Sequence, residues 1–276
     1  MYSVDAHGAA IPVVGFGTWP LTGEGCAHAV AEALAAGYRH IDGAAGYGNE
    51  RWVGEGIRAS GVPRDEIFIT TKVPPEDLDD PAFQRSVDRS IDDLGVDQVD
   101  LLLIHWPSTT LAVATTIASL NKARARGATR HIGLSNFTIA LLREAWAATD
   151  APLVTNQCEY HPYLGQDRLI AATRERGMAF TAFSPLGRAR VLEDPVIVEI
   201  ARRKGKTPAQ VILRWDIQQP GVVTIPKSQD PARIRANIDI FDFTLSDDEM
   251  AAIFHLGGKH RHRVANPGAA APKWDE

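Results

Sequence analysis

Eight short apolar runs, rich in β-branched residues, recur along the chain, with amphipathic stretches of helical length between them. The runs are VVGFGTW (13–19), YRHID (38–42), IFITTKV (67–73), VDLLLIHW (99–106), RHIGLSN (130–136), LVTNQCE (153–159), AFTAFS (179–184) and VVTIPK (222–227). Helical stretches lie near 24–36, 50–59, 80–94, 112–126, 138–149, 166–176, 195–204 and 207–218. Strands that alternate with helices predict an α/β fold with a parallel sheet, since parallel neighbours need long crossovers. The runs are almost continuously apolar, as strands covered on both faces must be. Thr207-Pro208 and Ser246-Asp247-Asp248-Glu249 read as helix starts. Gly37, Gly61, Gly127 and Gly177 read as helix stops. No linker or low-complexity tract divides the chain, which predicts one domain over 1–276.

A sheet of this kind either closes into a barrel or stays open and doubly wound. An open sheet that binds a dinucleotide carries its glycine fingerprint early. Gly15-Phe16-Gly17 is the one candidate, and it lacks the third glycine and a directly following helix. Eight strands fit the closed barrel, in which chemistry sits on the loops after the strands.

Composition narrows the function. The 276 residues carry a formal charge of −5, with 45% hydrophobic and 23% charged residues. That balance is ordinary for a soluble globular protein and gives no basic footprint for nucleic acid. No run approaches the ~18 apolar residues of a membrane span. The N-terminus has no charged leader before an apolar block. Two cysteines, Cys26 and Cys158, make neither a disulfide framework nor a metal set. A cytoplasmic protein is the expectation.

In a closed barrel the polar residues that end the strands converge on one rim. In order these are Thr18 and Trp19, Asp42 and then Tyr47, Lys72, His105 and Trp106, Ser135 and Asn136, Asn156 and Gln157, Ser184, and Lys227 with Ser228. Any one alone reads as a turn former, a solvated edge residue or a core histidine. Eight strand ends in succession are hard to explain that way.

Asp42 offers a buried Lys72 its counter-ion. A lysine beside Tyr47 favours the phenolate and is expected to pull the tyrosine pKa down from ~10. A phenol so placed can donate a proton, and His105 can hydrogen-bond a carbonyl oxygen. No activated nucleophile with its own base is present, and no His, Cys and carboxylate set has metal-ligand spacing. Proton delivery to a carbonyl then calls for a hydride from a nicotinamide cofactor. Lys227, Ser228 and Arg233 form a clamp suited to a phosphate monoester, which favours NADPH over NADH. Read alone, that cluster is better explained as a solvated basic turn. Ser135, Asn136 and Gln157 suit a carboxamide, and Phe183 could stack on the ring.

With these residues in place the chain resembles the aldo-keto reductases. The likeness rests on GFGTWP (15–20), HIDGAAGYGNE (40–50), ITTKV, DLLLIHWP, IGLSNF, NQCEYHP, FSPLG and IPKS followed by Arg233 and Asn237, and it covers nearly the whole chain. It implies a (β/α)₈ TIM barrel with an N-terminal β-hairpin and a C-terminal substrate loop, NADPH, and reduction of aldehydes or ketones. It implies a catalytic set of Asp42, Tyr47, Lys72 and His105. The implied cofactor contacts are Thr18, Ser135, Asn136, Gln157, Phe183, Ser184, Leu186, Gly187, Arg188, Lys227, Ser228, Arg233 and Asn237. Trp19, Trp106 and His105 would face the substrate.

The chain departs from the family pattern at Ala236, where glutamate is common, and at Phe183, where tyrosine is common. Ser108-Thr109-Thr110 leads almost directly into a helix, so the expected pocket is open. Bacterial relatives with short loops reduce keto-sugar acids or methylglyoxal. The KHRHR run of the tail suits anionic or polyhydroxy substrates, or is a solvated basic segment. A monomer with a small carbonyl substrate is expected. The alternative is a non-catalytic NADPH-binding sensor or structural protein of the same fold.

Overall fold

The computed structural model describes residues 1–265, 267–268 and 271–275. An antiparallel hairpin comes first, β1 (Ser3–Ala6) and β2 (Ala9–Pro12). Eight parallel strands follow: β3 (Phe16–Gly17), β4 (His40–Asp42), β5 (Phe68–Val73), β6 (Val99–Ile104), β7 (Thr129–Ser135), β8 (Leu153–Glu159), β9 (Ala179–Phe183) and β10 (Val222–Thr224). Each pairs with the next in chain order. The two ends then meet, because Val14 bridges to Thr224 in parallel and Gly15 N–H donates to Thr224 O at 2.8 Å. The sheet is therefore a barrel.

Helices α1 (Gly23–Ala35), α2 (Glu50–Ser60), α3 (Ala82–Leu94), α4 (Val113–Ala125), α5 (Ile139–Ala148) and α6 (Asp167–Glu175) each follow one strand. Two helices, α7 (Pro195–Lys204) and α8 (Pro208–Gln218), share the crossover from β9 to β10, and α9 (Pro231–Ile238) and α10 (Asp247–His260) end the chain. Ser246 forms the capping box read from the sequence with Glu249, and Thr207, read as an N-cap before proline, forms one with Gln210 as well.

Strand alternation sorts the side chains. Ile41, Ile69, Val73, Leu102 and Ile104 join the apolar layer shared with the helices. Their neighbours Leu101 and Leu103 join a second cluster with Val154, Ala179 and Val223. Ala6, Ala9 and Ile11 of the hairpin complete that second cluster, which plugs the barrel floor. The implied N-terminal hairpin is thus present.

Two readings change. The runs at 13–19 and 222–227 form shorter strands, Phe16–Gly17 and Val222–Thr224, although single bonds such as Gly17 N–H to Pro226 O at 3.0 Å continue the pairing beyond them. Helix α9 falls where the sequence was read only as a phosphate clamp. Its start signal is ordinary: Asp230 accepts from Ala232 N–H at 2.8 Å, and Pro231 takes the first helical position.

Candidate active site

Asp42 ends β4, Lys72 lies one residue from the end of β5, and His105 follows β6. Tyr47 closes a single 3₁₀ turn (Ala45–Tyr47), and Gly48 turns the chain away at φ 64°. Thr18 ties the segment down, its Oγ1 donating to Asp42 O at 2.9 Å, and Asn49 Nδ2 donates to Thr18 O at 3.0 Å.

These elements bring four side chains together. Lys72 is 1% exposed and Asp42 2%. The ammonium Nζ donates to Asp42 Oδ1 at 2.6 Å and to Gly43 O at 2.7 Å, and reaches Tyr47 Oη at a long 3.5 Å. Gln157, from across the barrel, donates Nε2 to Asp42 Oδ2 at 2.7 Å. The His105 ring meets the Tyr47 ring edge to face at 5.4 Å between centroids.

The electrostatics follow from burial and from these partners. Burial works against the Lys72 charge, yet Asp42 and Tyr47 outweigh it and hold the lysine pKa above its ordinary value. His105 is pushed down to about 3, first by desolvation and then by Lys72, so its imidazole is neutral at any working pH. Tyr47 corrects one expectation. Lys72 does pull its pKa down, but desolvation is larger and leaves it above the ordinary tyrosine value. The phenol therefore keeps its proton.

Beside this group Ser135 Oγ donates to Gln157 O at 2.9 Å, and Asn136 Nδ2 donates to His105 O and to Ser135 Oγ, both at 3.0 Å. Asn136 is buried at φ 64°, and its Oδ1 meets no partner among the described residues. A buried carbonyl oxygen in that state suits an incoming amide N–H. Phe183 is half-buried where β9 ends, and Ser184, Gly187 and Arg188 all adopt positive φ. Leu186 is half-buried and Gly187 buried. The Arg188 guanidinium lies 5.3 Å from the centroid of the Trp19 ring, which is 48% exposed. Where β10 runs into α9, Lys227 is exposed, Ser228 Oγ accepts from Asp230 N–H, and the Arg233 side chain is 80% exposed. Asn237 is buried on α9.

Trp106 is half-buried with the Trp274 ring edge-on at 6.2 Å. Trp52 packs instead on the apolar layer beneath α2, as a helix cover would. Residues 257–260, read as part of the tail, belong to α10. Within the KHRHR run, His260 stacks on Tyr163 and Arg263 on Trp274, while Lys259 and Arg261 face solvent. Sequence reasoning missed the Gly43 carbonyl, which carries no side-chain signal. It also missed Trp274, whose only signal was an aromatic residue in a polar tail.

Comparison with known proteins places the chain in a family. The sequence model of the aldo/keto reductase family matches residues 13–256. An aldo-keto reductase of Mycolicibacterium smegmatis is 45% identical over 250 residues, covering 90% of each chain. Morphine 6-dehydrogenase of Pseudomonas putida is 43% identical over 264 residues, covering 91% of this chain and 89% of its own. A crystal structure with the provisional name 2,5-diketo-D-gluconic acid reductase B superposes with a TM-score of 0.96 at 44% identity, over 100% of this chain and 98% of the other. The chain belongs to the aldo/keto reductase family, and so to the oxidoreductases.

Proposed function

We propose that this chain, acting as one domain and as a cytoplasmic monomer, reduces aldehydes and ketones to alcohols with NADPH, Tyr47 supplying the proton. The observation that carries this reading is the buried ammonium of Lys72, held at 2.6 Å by Asp42 and turned toward the Tyr47 hydroxyl. The family generally uses NAD(P)H. When bound, the reduced nicotinamide supplies the hydride.

The residues present fit that cofactor. Asn136 would take the carboxamide with its unpartnered Oδ1, with Ser135 and Gln157 alongside, and Phe183 would stack on the ring. Thr18, Ser184, Leu186, Gly187 and Arg188 would line the pyrophosphate, and Asn237 the adenine. Lys227, Ser228 and Arg233 would hold a 2′-phosphate, which is the reason to name NADPH rather than NADH. Exposed cations not committed to strong ion pairs suit a dianionic partner, and among the described residues the ion-pair partner of Arg233 is Asp230 at 4.0 Å.

The chemistry then divides among this chain's own groups. His105, neutral, directs the carbonyl oxygen toward Tyr47. Tyr47 gives its proton to that oxygen as negative charge gathers there. Lys72 faces the phenolate that remains, and Asp42 with Gln157 keeps the ammonium in place. Solvent restores the tyrosine proton. Trp19 and Trp106 wall the carbonyl site, which suits small polar carbonyls such as keto-sugar acids or methylglyoxal.

The test is a carbonyl panel assayed by loss of NADPH absorbance. Turnover of at least one small polar carbonyl, with NADPH preferred over NADH, is the expected result. Tight NADPH binding without turnover of any carbonyl would instead favour a non-catalytic cofactor-binding protein.

A further inference from the structure

Glu159 ends β8 and takes no part in the group around Lys72. Its side chain is 0% exposed. A buried carboxylate requires donors, and Glu159 has three among the described residues. His161 Nδ1 accepts from Tyr163 N–H at 3.2 Å, so the proton sits on Nε2, which donates to Glu159 Oε1 at 3.0 Å. The other two donors are main-chain amides of the C-terminal tail: Val264 N–H at 2.6 Å to Oε1 and Ala265 N–H at 2.7 Å to Oε2. The tail is anchored a second time, where Asp275 Oδ2 accepts from Ile139 N–H at 2.7 Å at the start of α5.

The side chain next to that second anchor is Trp274. Its ring meets Trp106 at 6.2 Å, and the Arg263 guanidinium stacks on it at 3.6 Å from the centroid. Trp106 directly follows His105. The tail therefore brings an indole, backed by a guanidinium, to the wall of the cleft in which His105 and Tyr47 stand.

We propose that Glu159 is a positioning residue that clasps the tail by its main chain and so holds Trp274 in place as a roof over the carbonyl site. Charge-assisted hydrogen bonds to backbone amides read no side chain. The tail sequence can thus vary while its path stays set. The structural part of the proposal stands without catalysis, and its kinetic part rests on the carbonyl-reductase reading above.

Two variants test it. Ala265→Pro removes one of the clasped N–H groups and leaves every barrel residue unchanged, so it remains informative if Glu159→Gln fails to fold. Trypsin cleavage after Arg261 or Arg263, followed by mass spectrometry, reports tail release with no reaction involved. Both variants should lose the tail about tenfold faster than the parent chain, the factor set by about 1.4 kcal/mol of lost anchoring. With NADPH, KM for a bulky aromatic aldehyde should rise about tenfold while kcat stays within about twofold, the split expected when binding alone is weakened. Parent-like cleavage in Ala265→Pro would overturn the clasp. Faster cleavage with KM unchanged would overturn the roof. A parent chain that binds NADPH and reduces nothing would sink the proposed activity, and the cleavage result would still decide the clasp.

Discussion

A lysine with 1% of its surface exposed stays charged only if its partners outweigh the loss of water. At Lys72 a carboxylate at 2.6 Å and a carbonyl at 2.7 Å do so. The phenol beside it shows the opposite balance. Burial exceeds the pull of Lys72, so Tyr47 is held as an acid, which suits a proton donor. Tyr47→Phe should lower kcat by roughly 10²–10⁴-fold, the usual worth of a positioned acid, with NADPH affinity nearly unchanged. Stopped-flow turnover and cofactor fluorescence check the two halves. Full activity in the variant would remove Tyr47 from the mechanism. His105 makes a separate prediction. Its folded pKa of about 3 lies below the unfolded value, so the unfolded chain binds a proton first as pH falls. Its contribution is complete above about pH 6.5 and is lost below that, down toward the folded value, by about 1–2 kcal/mol at pH 5. Urea melts at pH 7 and pH 5 should show this loss in the parent and a smaller one in His105→Gln. The acid limb of the rate profile should likewise show no ionisation near 6.5 from this ring.

Among the elements, the turn between β10 and α9 is the one on which the proposed preference for NADPH rests. Asp230 caps α9 through Ala232 N–H and Arg233 N–H, which sets the helix axis and leaves the Arg233 guanidinium exposed. Arg233→Ala should weaken NADPH by about 10–150-fold, equivalent to ~1.5–3 kcal/mol for a lost charge-assisted bond, and NADH far less. Equal losses for the two cofactors would place the phosphate grip elsewhere. The element also shows how far local signals reach. Lys227, Ser228 and Arg233 were legible as a basic cluster, whereas the helix start at Asp230-Pro231 was not read. That the second presents the first at a barrel rim became visible only with β10 in place. By contrast, the start of α10 was readable in full, because a capping box is a contact between residues three apart.

For the whole molecule, closure is the decisive event. Val14 meets Thr224, and the floor is filled by Ala6, Ala9 and Ile11 against Leu101, Leu103, Val154, Ala179 and Val223. Ile11→Ala should cost about 2–5 kcal/mol, as large-to-small changes in a filled core do, while NADPH affinity stays that of the parent because the plug is at the end of the barrel opposite the rim. Chemical denaturation and fluorescence titration together would show it, and a coupled loss of affinity would argue against a rigid barrel between floor and rim. What the sequence alone determined was the order of strands and helices, that both faces of the strands are covered, and the residue types at each strand end. Those depend on period, propensity and capping, all of them interactions between near neighbours. What only the tertiary structure decided was which strand ends touch. Gln157 reaching Asp42 across 115 positions, the carbonyl of Gly43 serving Lys72, the net pKa of Tyr47 and the Glu159 hold on the tail each depend on burial and on partners far apart in the chain. No local pattern encodes those distances, because they exist only once the sheet has closed.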